Sequence, residues 1–155
     1  MENIELVRID DRMLHGQVVS TWLKDYSIEQ VLIINDKAAN DPIQKSVAGL
    51  AAPKEVKVHL FGVDQFIDIL KKTPIKRKTM LIFTTSTDVL KLVENGLDIK
   101  EVNVGGMRYN ENRKRLSKAV SVTPEEEEAF KKLIEKDIKV FIQMIPKSDE
   151  SLMKN

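Results

Sequence analysis

The stretch IELVRIDDRMLHGQVVSTWLK, residues 4–24, decides how the rest of the chain is read. Ile4–Ile9 is a short apolar run of the kind that forms a strand covered on both faces. From His15 to Lys24 the period changes to that of a helix, which sets Val18, Val19, Trp22 and Leu23 on one stripe. Between strand and helix lie two arginines, two aspartates and a histidine: Arg8, Asp10, Asp11, Arg12 and His15. This is one β-α unit with its polar residues gathered in the connection.

The same alternation continues to the far end. Further strands are predicted over Val31–Asn35, Val56–Phe61, Thr79–Phe83, Glu101–Val104, Ala119–Val122 and Lys139–Met144. Helices are predicted over Asp41–Ala51, Val63–Lys72, Ser86–Glu94 and Thr123–Lys136. The Asp41–Ala51 helix has Asp41 as N-cap, Pro42 in its first position and an apolar stripe of Ile43, Val47, Leu50 and Ala51. Asn95-Gly96 supplies a helix stop, and Thr123-Pro124-Glu125-Glu126 reads as a capping box. Strands alternating with helices at this spacing predict an α/β fold. It has one domain over residues 1–155, a mostly parallel central sheet of about seven strands and helices on both faces. Gly105–Ser117 is expected to be a basic loop or irregular hairpin, and the polar tail 146–155 is expected to fray.

Composition narrows the chemistry. The 155 residues include no cysteine, which excludes disulfides, thiolate metal sites and cysteine nucleophiles. The net charge of +1 lacks the basic excess of a protein that binds nucleic acid through its phosphates. The apolar runs are too short to span a bilayer, and the N-terminus does not read as a signal peptide, so the expected compartment is the cytoplasm.

In open α/β sheets ligands bind beyond the carboxyl ends of the strands, near a switch in strand order. That rule selects Asp10–Gly16, Asn35–Asn40, Thr84–Ser86 and Gly105–Arg108. His15 stands where a helix begins, so the N–H groups of Gly16, Gln17 and Val18 have no partner within the helix and face outward. Such a helix start disfavours a positively charged ring, which leaves the imidazole neutral and nucleophilic. The same amides suit a phosphoryl group on the ring. Arg8 and Arg12 would offset its charge, and Asp10 or Asp11 would orient the ring or hold an arginine.

The segment Arg8-Ile-Asp-Asp-Arg-Met-Leu-His15-Gly-Gln-Val resembles the active-site signature of IIB components of the sugar phosphotransferase system, mannose/fructose/sorbose family. The likeness extends to Ile82–Leu90, Val102–Arg108, Lys118–Glu126 and Val140–Pro146, nearly the whole chain. It implies that His15 accepts a phosphoryl group from a phosphohistidine on a IIA protein. The group would then pass to a hexose-type sugar moving through a IIC/IID membrane complex. It implies a phosphorylated ring nitrogen nearer the backbone and a phosphoryl pocket that also includes Thr84 and Ser86, although many relatives have proline where Ser86 stands. Neither a cofactor nor a metal is called for, since each step moves phosphoryl between nitrogens or from nitrogen to a hydroxyl. The length leaves no room for a fused IIA segment, so IIA is expected to be a separate chain or unneeded, and the resemblance implies attachment to the inner face of the membrane through IIC/IID and a possible homodimer.

Other features have simpler readings. His59 lies in a predicted strand with no metal-binding partners, Trp22 belongs to the core, and Glu125–Glu128 compensates a helix dipole. Arg108, Arg113, Lys114, Arg115 and Lys118 form either a solvated loop or a docking patch for an acidic partner. The alternatives to a phosphohistidine carrier are a receiver-like domain and a non-catalytic regulatory α/β domain. The receiver needs an aspartate at the end of the third strand, where Val58–Gly62 has none.

Overall fold

The computed structural model describes residues 1–146 and 148–154, apart from the side chains of residues 16–19. The first half alternates β1 (Ile4–Asp10), α1 (Gly16–Asp25), β2 (Gln30–Ile34), α2 (Asp36–Ala39), α3 (Pro42–Ala51), β3 (Lys57–Phe61) and α4 (Val63–Lys72). The second half continues with β4 (Thr79–Phe83), α5 (Ser86–Glu94), β5 (Glu101–Gly106), β6 (Lys114–Arg115), β7 (Ser121–Val122), α6 (Pro124–Glu135), β8 (Lys139–Ile142) and β9 (Ser151–Leu152). The main sheet has seven strands in the order β3-β2-β4-β1-β5-β8-β9, parallel except for β9. This is the expected α/β architecture.

Successive side chains of a strand face opposite ways, so each central strand feeds two cores. Val7 and Ile9 of β1 join Leu81, Phe83, Val102 and Val104 against α4, α5 and α6. Leu6 joins Val31, Ile33, Met80 and Ile82 against Trp22 and Leu23 of α1 and Ala48 of α3. Fully burying an aliphatic or Phe side chain contributes roughly 1.5–3 kcal/mol. The four apolar residues of β4, Met80–Phe83, all buried, are therefore a principal source of stability. Trp22 is completely buried, as expected; Val18 and Val19, assigned to the same stripe, lie outside the described side chains.

Helix ends follow local chemistry. The Asp41 side chain accepts from the Ile43 N–H with Pro42 in the first turn, and Thr123 and Glu126 form the reciprocal capping box. Asn95 closes α5, and Gly96 follows at φ 110°, a conformation glycine adopts without strain.

Three expectations are corrected. The apolar stripe of α3 is not core: Ile43, Val47 and Leu50 are 72%, 54% and 86% exposed, while Ala48 is buried. The reason is position, since α3 covers β3, an edge strand that leaves its outer flank without a neighbour. Ala119–Val122 does not enter the main sheet; Ser121–Val122 pairs antiparallel with β6 in a separate ribbon. The seventh strand of the sheet comes instead from the tail expected to fray, where β9 pairs antiparallel with β8 and the Met153 N–H donates to the Val140 carbonyl.

Asp88, in the first turn of α5, shows two effects in competition. The helix dipole favours its charge by a few tenths of a kcal/mol. Burial, then the neighbouring Asp36 carboxylate, push its carboxyl up to about 6 against a weaker pull from Lys91. Because the folded value lies above the unfolded one, Asp88 favours the fold most at low pH, and that contribution is lost as pH rises through about 6. After allowance for solvent screening, Asp88→Asn is expected to stabilise the protein by about 1 kcal/mol at pH 7.5. The gain should shrink toward zero near pH 4. Urea unfolding of both proteins at the two pH values checks this; a gain independent of pH would contradict it.

Candidate functional site

The chain leaves β1 toward β2 on one side of the sheet, whereas β4 leads by way of α5 to β5 on the other. The crevice beyond the carboxyl end of β1 is therefore the switch in strand order where ligands bind. Residues 10–15 fill that position. The Met13 N–H donates to the Asp10 carbonyl at 2.9 Å, closing a tight turn. Met13 itself sits at φ 60°, a left-handed conformation that costs a non-glycine residue about 1–3 kcal/mol and is often found at functional sites.

His15 is the N-cap of α1, at φ −151°, and is partly buried. Its side chain makes no capping hydrogen bond. Nδ1 lies 3.2 Å from the Met13 carbonyl oxygen. A carbonyl only accepts, so in this contact Nδ1 carries a proton and donates. Nε2 is shielded from solvent and has no hydrogen-bond partner. Gly16, Gln17 and Val18 open the helix as expected, but their side chains lie outside the described residues.

Asp10, 1% exposed, is the pivot of the loop. Its Oδ1 accepts from the Arg12 backbone N–H at 3.1 Å and from Arg12 Nε at 3.0 Å. Its Oδ2 accepts from Arg12 Nη2 at 3.1 Å and Arg8 Nη2 at 3.4 Å. The bonds to Asp10 raise the Arg12 pKa further, so that guanidinium is permanently charged and held flat. Asp11 points the other way. Its Oδ2 accepts from the Arg108 N–H at 2.8 Å and from Arg113 Nη1 at 3.2 Å, tying the loop to the end of β5.

Arg8 occupies a different place from Arg12. It is 1% exposed and donates to the Asn103 side chain, the Gln143 carbonyl at 3.0 Å and the Met144 carbonyl at 3.1 Å. Its guanidinium also lies over the Trp22 ring, 4.9 Å from the centroid. Burial lowers its pKa to about 10 even though Asp10 opposes the shift. With both terminal nitrogens engaged inside the protein and Nε buried without a partner, Arg8 supports Asp10 from beneath rather than facing a ligand. The space it occupies depends on Gly105, where a Cβ would overlap the guanidinium. Gly105→Ala is therefore expected to cost about 2–3 kcal/mol through overpacking. Gly106→Ala, whose Cβ would meet Arg12 Nη2 at an ordinary 3.5 Å, should cost far less. Urea midpoints of the two variants test the contrast, and equal losses would refute it.

The β4–α5 connection divides the two hydroxyls expected there. Ile9 pairs with Phe83, so Thr84 lies beside Asp10 at the sheet edge. Its Oγ1 accepts from Asn35 Nδ2 at 2.8 Å, which leaves its O–H able to donate. Ser86 is fully buried, and its hydroxyl donates to the Glu126 carbonyl at 2.7 Å, so it is turned into the protein.

Sequence reasoning missed a polar network behind the loop. Glu126 accepts from Arg113 Nη2 at 2.7 Å and Thr85 Oγ1 at 2.8 Å, and Arg113 continues to Asp11. Burial works against the Glu126 charge, but Arg113, Thr123 and Thr85 outweigh it and hold its carboxyl below the ordinary value. Burial likewise opposes the Arg113 charge, and Glu126 and Asp11 outweigh it. Asn103, a polar residue inside the apolar run Val102–Val104, was a legible clue only to the separate cluster around Arg8, to which its side chain is bound. His59 is exposed on edge strand β3 and stacks on Phe61. Among the described residues no group of three or more His, Asp or Glu side chains is placed to hold a metal ion. No helix of the described residues is long and apolar enough to cross a membrane.

The chain is 36% identical over 152 residues to the fructose-specific EIIB component of the phosphotransferase system (PTS) of Bacillus subtilis, covering 97% of this chain and 93% of that protein. It is also 36% identical to the mannose-specific EIIAB component of Escherichia coli over 92% of this chain, spanning 44% of that longer protein. The crystal structure of the IIBSor domain of the sorbose permease from Klebsiella pneumoniae superposes with a TM-score of 0.89 at 32% identity, covering 95% of this chain and 91% of that one. The family model described as PTS system sorbose subfamily IIB component matches residues 4–155. The chain therefore belongs to the sorbose subfamily of IIB components of the PTS, the sugar-specific phosphotransferase subunits of that transport system.

Proposed function

We propose that residues 1–155 form one IIB unit that carries a phosphoryl group on His15 between a phospho-IIA protein and a hexose-type sugar. The observation that supports this most is the setting of His15: it caps α1 at the strand-order switch, three residues after an arginine clamped by a buried aspartate. A helix start supplies outward N–H groups for phosphate oxygens, here those of Gly16, Gln17 and Val18. Arg12 adds a fixed positive charge and Thr84 a hydroxyl. Asp10 positions Arg12, and Arg8 positions Asp10.

Transfer proceeds in line. The lone pair of a His15 ring nitrogen attacks phosphorus as the bond to the donor histidine breaks. A sugar hydroxyl then attacks the same phosphorus, the bond to His15 breaks, and the released imidazole takes up in balance the proton that the hydroxyl gives up. The family resemblance puts the phosphoryl on Nδ1. In that case the ring must first release the Met13 carbonyl and shift its proton to Nε2. The donor is assigned to the IIA class partly because a curated relative is named EIIAB. The sugar is received from a IIC/IID membrane complex, which would hold the protein at the inner face of the membrane, as a monomer or a homodimer.

Incubating the chain with the upstream phosphodonor proteins, followed by mass spectrometry, tests this reading. One added phosphoryl that survives alkali and is lost in acid is expected of phosphohistidine. An alkali-labile adduct would indicate an acyl phosphate and overturn it, as would no adduct at all.

A further inference from the structure

A cavity of about 330 Å³ opens at the end of β5, beside the His15 loop. Its lining brings together four cations, Arg12, Arg108, Arg115 and Lys118, and contains no carboxylate. Register fixes its place: Gly106, on its wall, is the strand partner of Asp10, which clamps Arg12.

Like charges facing one space repel each other, and their gathering is stabilised by an anion. Two of the four have partners in the protein. Arg12 is bound to Asp10, and Arg108 reaches Asp11 at 3.4 Å. Among the described residues Arg115 and Lys118 have no carboxylate partner. The Arg115 guanidinium instead lies 5.7 Å from the centroid of the Tyr109 ring. Tyr109 is 61% exposed, a large aromatic face left in solvent at the mouth of a cationic cleft. An aromatic face receives the C–H face of a sugar ring, while guanidinium and ammonium groups receive a phosphate dianion. The volume is at the lower end of small-molecule sites, enough for one hexose with one phosphate.

We propose that this cleft binds a hexose phosphate, with Arg115 and Lys118 on the phosphate and Tyr109 against the sugar ring. Choosing a sugar ester among phosphomonoesters rests on the transfer role given to His15, since the ester is the product of that transfer. The anion-binding geometry is independent of that role.

Titration of the purified chain with glucose 6-phosphate and fructose 1-phosphate, followed by amide chemical shifts, tests the proposal. Glucose, fructose and inorganic phosphate are the controls. At least one ester should bind saturably, about tenfold tighter than inorganic phosphate, and shift the amides of Tyr109, Arg115 and Lys118. The double variant R115Q/K118Q should weaken ester binding by about tenfold or more through loss of two charge-assisted contacts. Y109A should reduce the ester's advantage over phosphate. Shift mapping on the wild type keeps the test valid if a variant misfolds. Three results would overturn the proposal: no saturable ester binding, equal binding of phosphate and esters, or ester binding indifferent to R115Q/K118Q. Phosphoryl acceptance by His15 is read separately by mass, so the two readings fail independently.

Discussion

His15→Ala is expected to take up no phosphoryl group while keeping the stability of the wild type to within about 1 kcal/mol. The two halves of this expectation have separate causes. Replacing an N-cap residue is costly when its side chain holds an amide of the first turn, and His15 makes no such bond. What the fold loses is one 3.2 Å contact to the Met13 carbonyl. What the chemistry loses is its nucleophile: the loop holds no other imidazole, and its two carboxylates, Asp10 and Asp11, are engaged by Arg12, Arg108 and Arg113. The second histidine of the chain, His59, is on β3, three strands from β1. Intact mass after incubation with phosphodonor proteins measures the first half, and urea unfolding measures the second. A variant that still gained an acid-labile phosphoryl would remove His15 from the mechanism.

Asp10→Ala is expected to cost about 3–5 kcal/mol of stability, the usual penalty for removing one partner of a buried ion pair. Asp10 is the counter-ion of two guanidinium groups, and one of them, Arg8, is as deeply buried as the aspartate. Without the carboxylate, Arg8 keeps its charge in an apolar setting with Arg12 nearby, and burial already weakens its hold on the proton. The Arg12 backbone N–H also loses its acceptor, so the turn that presents His15 should loosen. Phosphoryl acceptance is therefore expected to fall in this variant even at temperatures where it remains folded. Denaturation midpoints and initial transfer rates provide the two measurements. A loss below about 1 kcal/mol would show that solvent or a shifted residue compensates the arginines, and that Asp10 is not the pivot of the loop.

The parts of the site legible in the sequence are those decided within a few residues of the chain. A polar run between an apolar strand and a helical stripe located the loop, and it put His15 at the start of α1. The carboxylate of Asp10 two residues before Arg12 is equally local, since a short side chain there reaches the following backbone amide. Arg8 and Ser86 show where that reach ends. Both were expected to face phosphate, and each is turned inward by groups distant in sequence: the terminal nitrogens of Arg8 by Asn103 and the carbonyls of Gln143 and Met144, Ser86 by the carbonyl of Glu126. Glu126 was read as a dipole-compensating residue on its own helix, which it is. The structure adds its bond to Arg113 and, through Arg113, a link to the active loop.

Alternation of strand and helix, the caps at Asp41 and Thr123, and the place of the histidine at a helix start were determined by the sequence alone, because each depends on hydrogen bonds and periodicity spanning a turn or two. Which residues face solvent and which face one another was decided only by the tertiary structure. Periodicity states that α3 has an apolar face, but the edge position of β3 leaves Ile43, Val47 and Leu50 uncovered. A two-residue segment in a polar tail becomes the seventh strand because β8 offers it an open row of backbone groups. Arg8 is held inside the protein rather than at the ligand face because the strand order brings β5 and the end of β8 around it, and those partners lie about a hundred residues away in sequence.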